Sequence, residues 1–556
     1  MINLKTREKI SYALFFFSTL GTFILGELYF ASNTGADFGK YSSYIEFFFN
    51  NSETTNHGQG VLYYYLVAVM VDIRSDLITN MNLPSLLSSN IQIVNFLLYM
   101  FGIWGFYKLL RSYQFKTDTI LLTFAFLNFF PTVLEMRLLM KPEILAFSVL
   151  PWIIISFDNY FKNFQLKYLI TGSIFLSIVL TLKGSIVAMV GLFLFLKYIN
   201  IIFLNVAKLP IMIFSFSVLF SLIYLENFLV NGNHLLYYDA FLYDNYQYKA
   251  SLNFLYHINK WDFYYFPIRH YHNNSLIGIT LLEIFGDYFK LSFNSDVNLT
   301  FYDRLNFFEG DYLRSYAREY ASILLSLLYL LLGCWLFIKE EKFRLYIFAP
   351  FCGISILILN AFGFPSLNFD PLVGDTFKAH YYSFLYATSF IFICAIFINR
   401  HKLLSVILLS IFSMLSIFIM GFPKESDTSI YYYQTYISNI SPLCSLTTNF
   451  FSDNQDADCN KPQNTCLHNV YSNKISSAVI SKPQKQNFSD SNHVLINKSD
   501  ELYKPNNQND CYDAFNNGFK NINSRYTNLK SPPIVNIFYF LFSIFISPMI
   551  LWYRNG

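Results

Sequence analysis

Charged residues are scarce in this chain. They make up 13% of its 556 residues, while 54% are hydrophobic and 20% aromatic. A soluble domain carries roughly 25% charge, so an ordinary water-soluble globule is excluded and a membrane protein is indicated. The net charge is +3, too small to suggest a nucleic-acid partner, and only the placement of the charges is informative. Nucleotide motifs are missing too. Neither G-x-x-x-x-G-K-[ST] nor G-x-G-x-x-G occurs, which leaves chemistry driven by ATP or a dinucleotide without support. No repeat of fixed period is visible. What the chain has in excess is aromatic: 63 Phe and 43 Tyr. They suit lipid-facing surface and interfacial belts, but an AT-rich genome would encode the same bias, so the excess carries little functional meaning.

Runs of about 20 mostly apolar residues predict transmembrane helices. They fall near 11–31, 91–110, 118–134, 142–158, 166–182, 185–204, 209–230, 319–338, 345–363, 379–398, 403–421 and 535–553. The expected fold is an all-α polytopic membrane protein with about 12 transmembrane helices. The stretch 61–71 is apolar but short, and Asp72, Arg74 and Asp76 follow at once; it reads as an interfacial helix. The first apolar stretch is longer than a signal-peptide core and lacks a small-x-small cleavage site, which favours an uncleaved span.

With the N-terminus inside, the inner loops collect Lys5, Arg7, Lys9, Arg111, Lys116, Lys162, Lys167, Lys208, Lys339, Lys342, Arg344, Arg400, Lys402 and Arg554. The short outer loops hold little beyond Arg137, Lys141, Lys183 and Lys378. Counting 61–80 as a span would reverse this bias, so charge itself supports the interfacial reading. Both termini are then expected in the cytoplasm, with 32–90, 231–318 and 422–534 outside. The chain divides into a membrane domain 1–421, a polar external segment 422–534 and a last helix within 535–556. Four of the seven cysteines, Cys444, Cys459, Cys466 and Cys511, lie in that polar segment. Two disulfides in an oxidising compartment are favoured over a zinc site, because the spacings match no common zinc pattern. Cys334, Cys352 and Cys394 fall within spans and read as small packing residues.

Polar residues gather at the outer ends of the spans. Asp37 stands in Gly35-Ala36-Asp37-Phe38-Gly39 just past the first span, and His57 opens the turn His57-Gly58-Gln59-Gly60 before an aromatic run. Glu135, Arg137, Lys141 and Glu143 occupy the turn after the third span, Lys183 a tight turn, and Lys378, His380 and Tyr381 the start of the tenth span. Each has a plain reading: a solvated loop carboxylate for Asp37, a snorkelling lysine for Lys183, a local pair for Glu135 and Arg137, an ordinary loop histidine for His57 and an interface one for His380. Together they form a pattern, because ionisable groups at membrane depth are costly and mark function by default.

In their order and common sidedness, these motifs resemble the GT-C superfamily of integral-membrane glycosyltransferases, including its protein-mannosyltransferase and aminoarabinose-transferase branches. Met140-Lys141-Pro142-Glu143 is similar to the family's (R/K)-P-(D/E) turn, Lys183 to its TK turn and Lys378-Ala379-His380-Tyr381 to its K-x-H-Y segment. The resemblance covers roughly residues 1–420. Asp37 is followed by Phe38 and the turn reads HGQG, where those branches show an Asp-Glu pair and HPPL. Donor and acceptor therefore stay open.

The resemblance implies a hexosyl- or pentosyltransferase using a polyprenyl-phosphate sugar donor and a glycan, lipid or protein acceptor in a bacterial inner membrane. Asp37 is the expected general base, with Glu46 and Glu53 as substitutes. His57, Arg137, Lys141, Glu143, Lys183, Lys378, His380 and Tyr381 are the expected substrate-binding residues. One base suffices because phosphate is already a fair leaving group. No DxD cluster stands in the first loop, so neither a metal nor another cofactor is expected. A ligase or polymerase acting on lipid-linked glycans, using Arg269, His270 and His272 in the loop 231–318, is one alternative. A secondary transporter or flippase is the other, disfavoured because the charges lie at the outer span ends and no repeat is evident.

The topology is directly testable. Cysteines introduced at residues 45 and 480 should both react with an impermeant thiol reagent from outside intact cells, and labelling on opposite sides overturns the scheme.

Overall fold

The computed structural model describes residues 2–29, 45, 62–75, 83–204, 252–256, 275–285, 309–363 and 379–420. Among the described residues every regular element is helical and none is a strand. In chain order they are α1 (Ile2–Tyr29), α2 (Leu62–Ser75), α3 (Leu83–Ser112), α4 (Thr117–Leu127), α5 (Pro131–Leu138), α6 (Glu143–Asn163), α7 (Leu166–Leu180) and α8 (Gly184–Leu204). Then follow α9 (Asn253–Tyr256), α10 (Leu276–Glu283), α11 (Glu309–Lys339), α12 (Arg344–Ile347) and α13 (Ala349–Gly363). A 3-10 turn (Ala379–Tyr382) leads into α14 (Ser383–Arg400), and α15 (Lys402–Met420) comes last.

Five stretches are long and apolar enough to cross a membrane: Ser89–Ser112, Glu143–Asn163, Gly184–Ile202, Tyr320–Lys339 and His380–Arg400. Up to seven qualify if each of two bent pairs is one span. The expected spans 209–230 and 535–553 lie outside the described residues. So do the four cysteines of 422–534. The 14-residue α2 matches the short apolar stretch 61–71 and packs against α3.

Two expected spans are broken. The run 118–134 divides into α4 and α5, bent by 71°, and the run 345–363 bends by 46° where Glu341–Ile347 meets Ala349–Leu359. The first break has a local cause. Pro131 sits in the first turn of α5 with Phe130 extended before it. Its ring would clash with the carbonyl four residues back, and it has no N–H to continue the ladder. The sequence reading took the apolar run as decisive and missed that stop.

The helices share two ends. At one, Lys402 lies in the field of Arg7, Lys116 and Asp118, and Arg400 pairs with Glu340. There the Tyr113 hydroxyl meets that of Tyr346 at 2.8 Å and Lys342 sits 5.0 Å over the Tyr113 ring. Burial, and then the Asp158 carboxylate, push the Tyr113 phenol up to about 12, so it stays neutral and works as a hydrogen-bonding group. Several residues assigned to inner loops by charge alone, Arg7, Lys116 and Lys402 among them, therefore do come together. Arg111, Lys162, Lys339 and Lys342 all stand at helix ends that point this way.

α14 runs through the centre, with 94% of its apolar window buried, and packs on α4, α5, α6, α13 and α15. Beside the α4–α5 break, Phe130 stacks on Phe390 at 4.7 Å and meets Phe285 at 4.8 Å, while Phe412 lies 5.0 Å from Phe390. Cys352 and Cys394 are buried as packing residues, but Cys334 is exposed. That one departs from expectation: its position on α11 faces away from the packed helices.

The packing of α3 against α6 depends on glycine. A Cβ on Gly102 would lie 2.7 Å from the Phe147 ring, and one on Gly105 only 2.6 Å from Cγ of Pro151. Gly105→Leu should therefore destabilise the protein by about 1–3 kcal/mol, read as a lower Tm in detergent. Gly191→Leu, where nothing lies within 4 Å, should leave Tm unchanged; equal losses at both positions would refute the close approach.

Candidate functional site

At the end opposite the basic one, short elements meet that are remote in sequence. The 3-10 turn Ala379–Tyr382 packs against α5, α6, α8, α10 and α13. Those elements carry or adjoin Glu135, Arg137, Lys141, Glu143, Lys183 and Glu283, and the turn itself carries His380 and Tyr381. All but Lys183 and Tyr381 of these eight are buried, with exposures of 2–7%. The sequence reading had placed all of them but Glu283 on separate outer turns. The described structure draws those turns into one region.

Lys183 caps the approach of α7 to α8, three residues past the end of α7, and its Nζ stands 3.6 Å over the centre of the Tyr381 ring. Two expected site residues thus touch directly, in a cation–π contact worth about 0.5–2 kcal/mol. Glu143 opens α6, where the positive end of the helix dipole favours a carboxylate. It lies close enough to the buried Tyr63 hydroxyl to act on it electrostatically. Tyr381 also packs edge-on to His380, ring centres 4.4 Å apart.

Arg137 differs from the plain expectation of a pair with Glu135. Its guanidinium donates to Thr22 Oγ1 at 3.0 Å and Asn128 Oδ1 at 3.1 Å, and lies 4.5 Å over the Tyr99 ring. Asn128 also accepts from the Tyr99 hydroxyl at 2.9 Å and donates to Ser18 Oγ and Thr19 Oγ1, both at 2.9 Å. Thr22 lies fifteen residues beyond Arg7, about 22 Å along α1. Arg137 is therefore held well away from the basic end, among neutral partners. Beside it is a cleft lined by Thr22, Phe23, Gln92, Phe96, Leu134, Arg137 and Leu138, enclosing about 240 Å³ of empty space with its open side included.

Asp37, His57 and Lys378, together with the substitutes Glu46 and Glu53, lie outside the described residues. Glu283 escaped the sequence reading. It ends α10, where the dipole disfavours a carboxylate, yet it is buried beside Tyr382 and Tyr386. An acid at the wrong end of an apolar helix was the available signal. Asn95, Asn128 and Tyr63 were missed because amides and phenols inside apolar runs carry no motif. Among the described residues, no three His, Cys, Asp or Glu side chains gather closely enough to hold a metal ion.

Comparison with protein-family models, with curated proteins and with solved structures finds no match.

The network around Arg137 makes a stability prediction. Arg137→Gln should cost about 2–3 kcal/mol, since hydrogen bonds from a charged donor are lost in a buried site. Asn128→Ala should cost a similar amount. Because the two share a bond, the double variant should lose less than the sum; simple addition in thermal or denaturant melts would mean that Arg137 is anchored elsewhere.

Proposed function

We propose that the chain is an integral-membrane glycosyltransferase of GT-C type. It moves a sugar from a polyprenyl-phosphate donor to a glycan, lipid or protein acceptor on the extracytoplasmic side, with inversion at the anomeric carbon. The observation that carries this reading is the burial of ionisable groups from four separate elements at the end opposite the basic one. Buried charge is costly unless it is paired or used, and the positive-inside rule makes the non-basic end extracytoplasmic.

The chemistry divides among few groups. Asp37 takes the proton from the acceptor hydroxyl as that oxygen bonds to the sugar C1. The bond from C1 to the phosphate oxygen breaks, and the electron pair leaves with the lipid phosphate. Lys183, Lys141 and Lys378 stand for the cations that hold the departing charge. His380 and Tyr381 border the sugar, and Glu143 keeps Lys141 in place. The sugar nucleotide is consumed earlier, in making the lipid-linked donor.

A second reading, transport or flipping of the lipid-linked sugar, is favoured by the two bent helix pairs. Broken helices commonly line transporter sites.

Mutational kinetics separates the roles. Asp37→Asn should reduce kcat roughly 10²–10⁴-fold while donor-lipid binding persists. Lys183→Ala should weaken donor binding and leave the base intact. Sugar transfer at near wild-type rate by Asp37→Asn would remove the base from the mechanism. Proteoliposomes that move the donor across the bilayer without consuming it would decide for transport. The sugar compound accumulating in a deletion strain would name the acceptor.

A further inference from the structure

The end of α5 leaves carbonyl groups without helical donors, as every helix end does. Lys141 N–H turns to Leu139 O at 2.9 Å and so is not available to Arg137 O. Pro142 has no N–H at all. In a water-poor interior such carbonyls need partners from elsewhere. Asn95, from the middle of α3, supplies both: its Nδ2 donates to Arg137 O at 3.0 Å and to Leu139 O at 2.8 Å. Its Oδ1 accepts from the Tyr63 hydroxyl of α2 at 2.8 Å. Asn95 and Tyr63 are fully buried, and the Tyr63 hydroxyl also borders Glu143 and the Lys141 backbone.

We infer that Tyr63 and Asn95 are positioning residues that fix the turn 138–143, and through it the directions of Lys141 and Glu143. The amide supplies the donor that Arg137 O lacks and a second one to Leu139 O. The phenol sets the amide's orientation, because a hydroxyl donating to Oδ1 leaves Nδ2 facing the carbonyls. A leucine at 95 would strand the Arg137 carbonyl and the Tyr63 phenol and leave Leu139 O with the Lys141 N–H alone, whereas Tyr63→Phe deletes one hydroxyl and keeps the ring. The contact also ties α2 to the turn, so the helix within the first outer segment and the charged turn are held as one unit. The assignment of a ligand to Lys141 and Glu143 rests on the function proposed above; the mechanical role does not.

The test uses the full-length protein in nanodiscs, with Tyr63→Phe as the main variant and Asn95→Ala as the stronger one. Hydrogen exchange at the amides of Leu139, Lys141 and Leu145 is read beside binding of a 55-carbon polyprenyl phosphate. Tyr63→Phe should speed exchange at these amides about tenfold and weaken lipid binding about five- to tenfold, with far-helix amides unchanged. Unchanged exchange at 139–145 in Tyr63→Phe overturns the inference. So does a loosened turn with unaltered binding of a lipid that the wild type does bind. A wild type that ignores the lipid, combined with a loosened turn in the variant, upholds the positioning role and rejects the lipid-phosphate reading. If Asn95→Ala fails to fold, Tyr63→Phe alone decides.

Discussion

A helix that breaks inside a membrane must find hydrogen-bond partners that water cannot provide there. In this protein the break at residues 128–130 sets that demand, and much of the described architecture answers it. Asn128 at the end of α4 makes all four bonds an amide can make: two donated to Ser18 and Thr19, two accepted from Tyr99 and Arg137. α1 and α3 are thereby pinned to the break by polar contacts within otherwise apolar packing. α14 closes it from the opposite side through the Phe130–Phe390 stack. A few polar side chains, not the aromatic surplus, give these helices their register.

The bend also determines where charge can go. Turning by 71°, α5 departs from the direction of α4, and the chain reaches Lys141 and Glu143 before α6 runs back. Without the bend, Arg137 and Glu143 would stand on a straight hairpin loop. With it, both are buried, on helices that pack against the 3-10 turn bearing His380. The far end then holds Glu135, Glu143 and Glu283 with Arg137, Lys141 and Lys183. Six formal charges of balanced sign have little long-range pull on an anionic substrate. An arriving phosphate would be recognised at short range, by donors already held in place, which is the kind of preorganisation that group transfer exploits.

How much of this could be read in the sequence follows from the physics of each signal. Span positions were legible because apolar length is a one-dimensional property, and α3, α6, α8, α11 and α14 cover runs picked out by composition. The basic end was legible because lysine and arginine label it directly, as Arg7, Lys116 and Lys402 demonstrate. The α4–α5 break was hidden, since Pro131 stands in a run apolar enough to pass for a span. Arg137 was found but its partners were not: Thr22, Tyr99 and Asn128 are spread over three elements, and nothing in a linear chain marks them as neighbours. Glu283 was overlooked because no motif surrounds it. The meeting of Lys183 with Tyr381 was anticipated only as a shared sidedness, not as a contact.

The same saturation bears on whether the break is a fixed frame or a moving part. A transporter's broken helix changes partners between states, so its polar groups need acceptable contacts in each. Here the Arg137 guanidinium sits over Tyr99 and between Thr22 and Asn128, and a shift of α5 relative to α1 would separate it from them together. No carboxylate is among its partners in the described residues to follow it, and a buried cation stripped of ligands is a heavy penalty. Asn128 would lose bonds in the same step. Motion at this break is therefore opposed by several contacts acting as a unit, which is what a rigid site for chemistry requires and what an alternating gate has to avoid. The bend supplies the geometry that recommends a transporter; the bonding around it favours the enzyme.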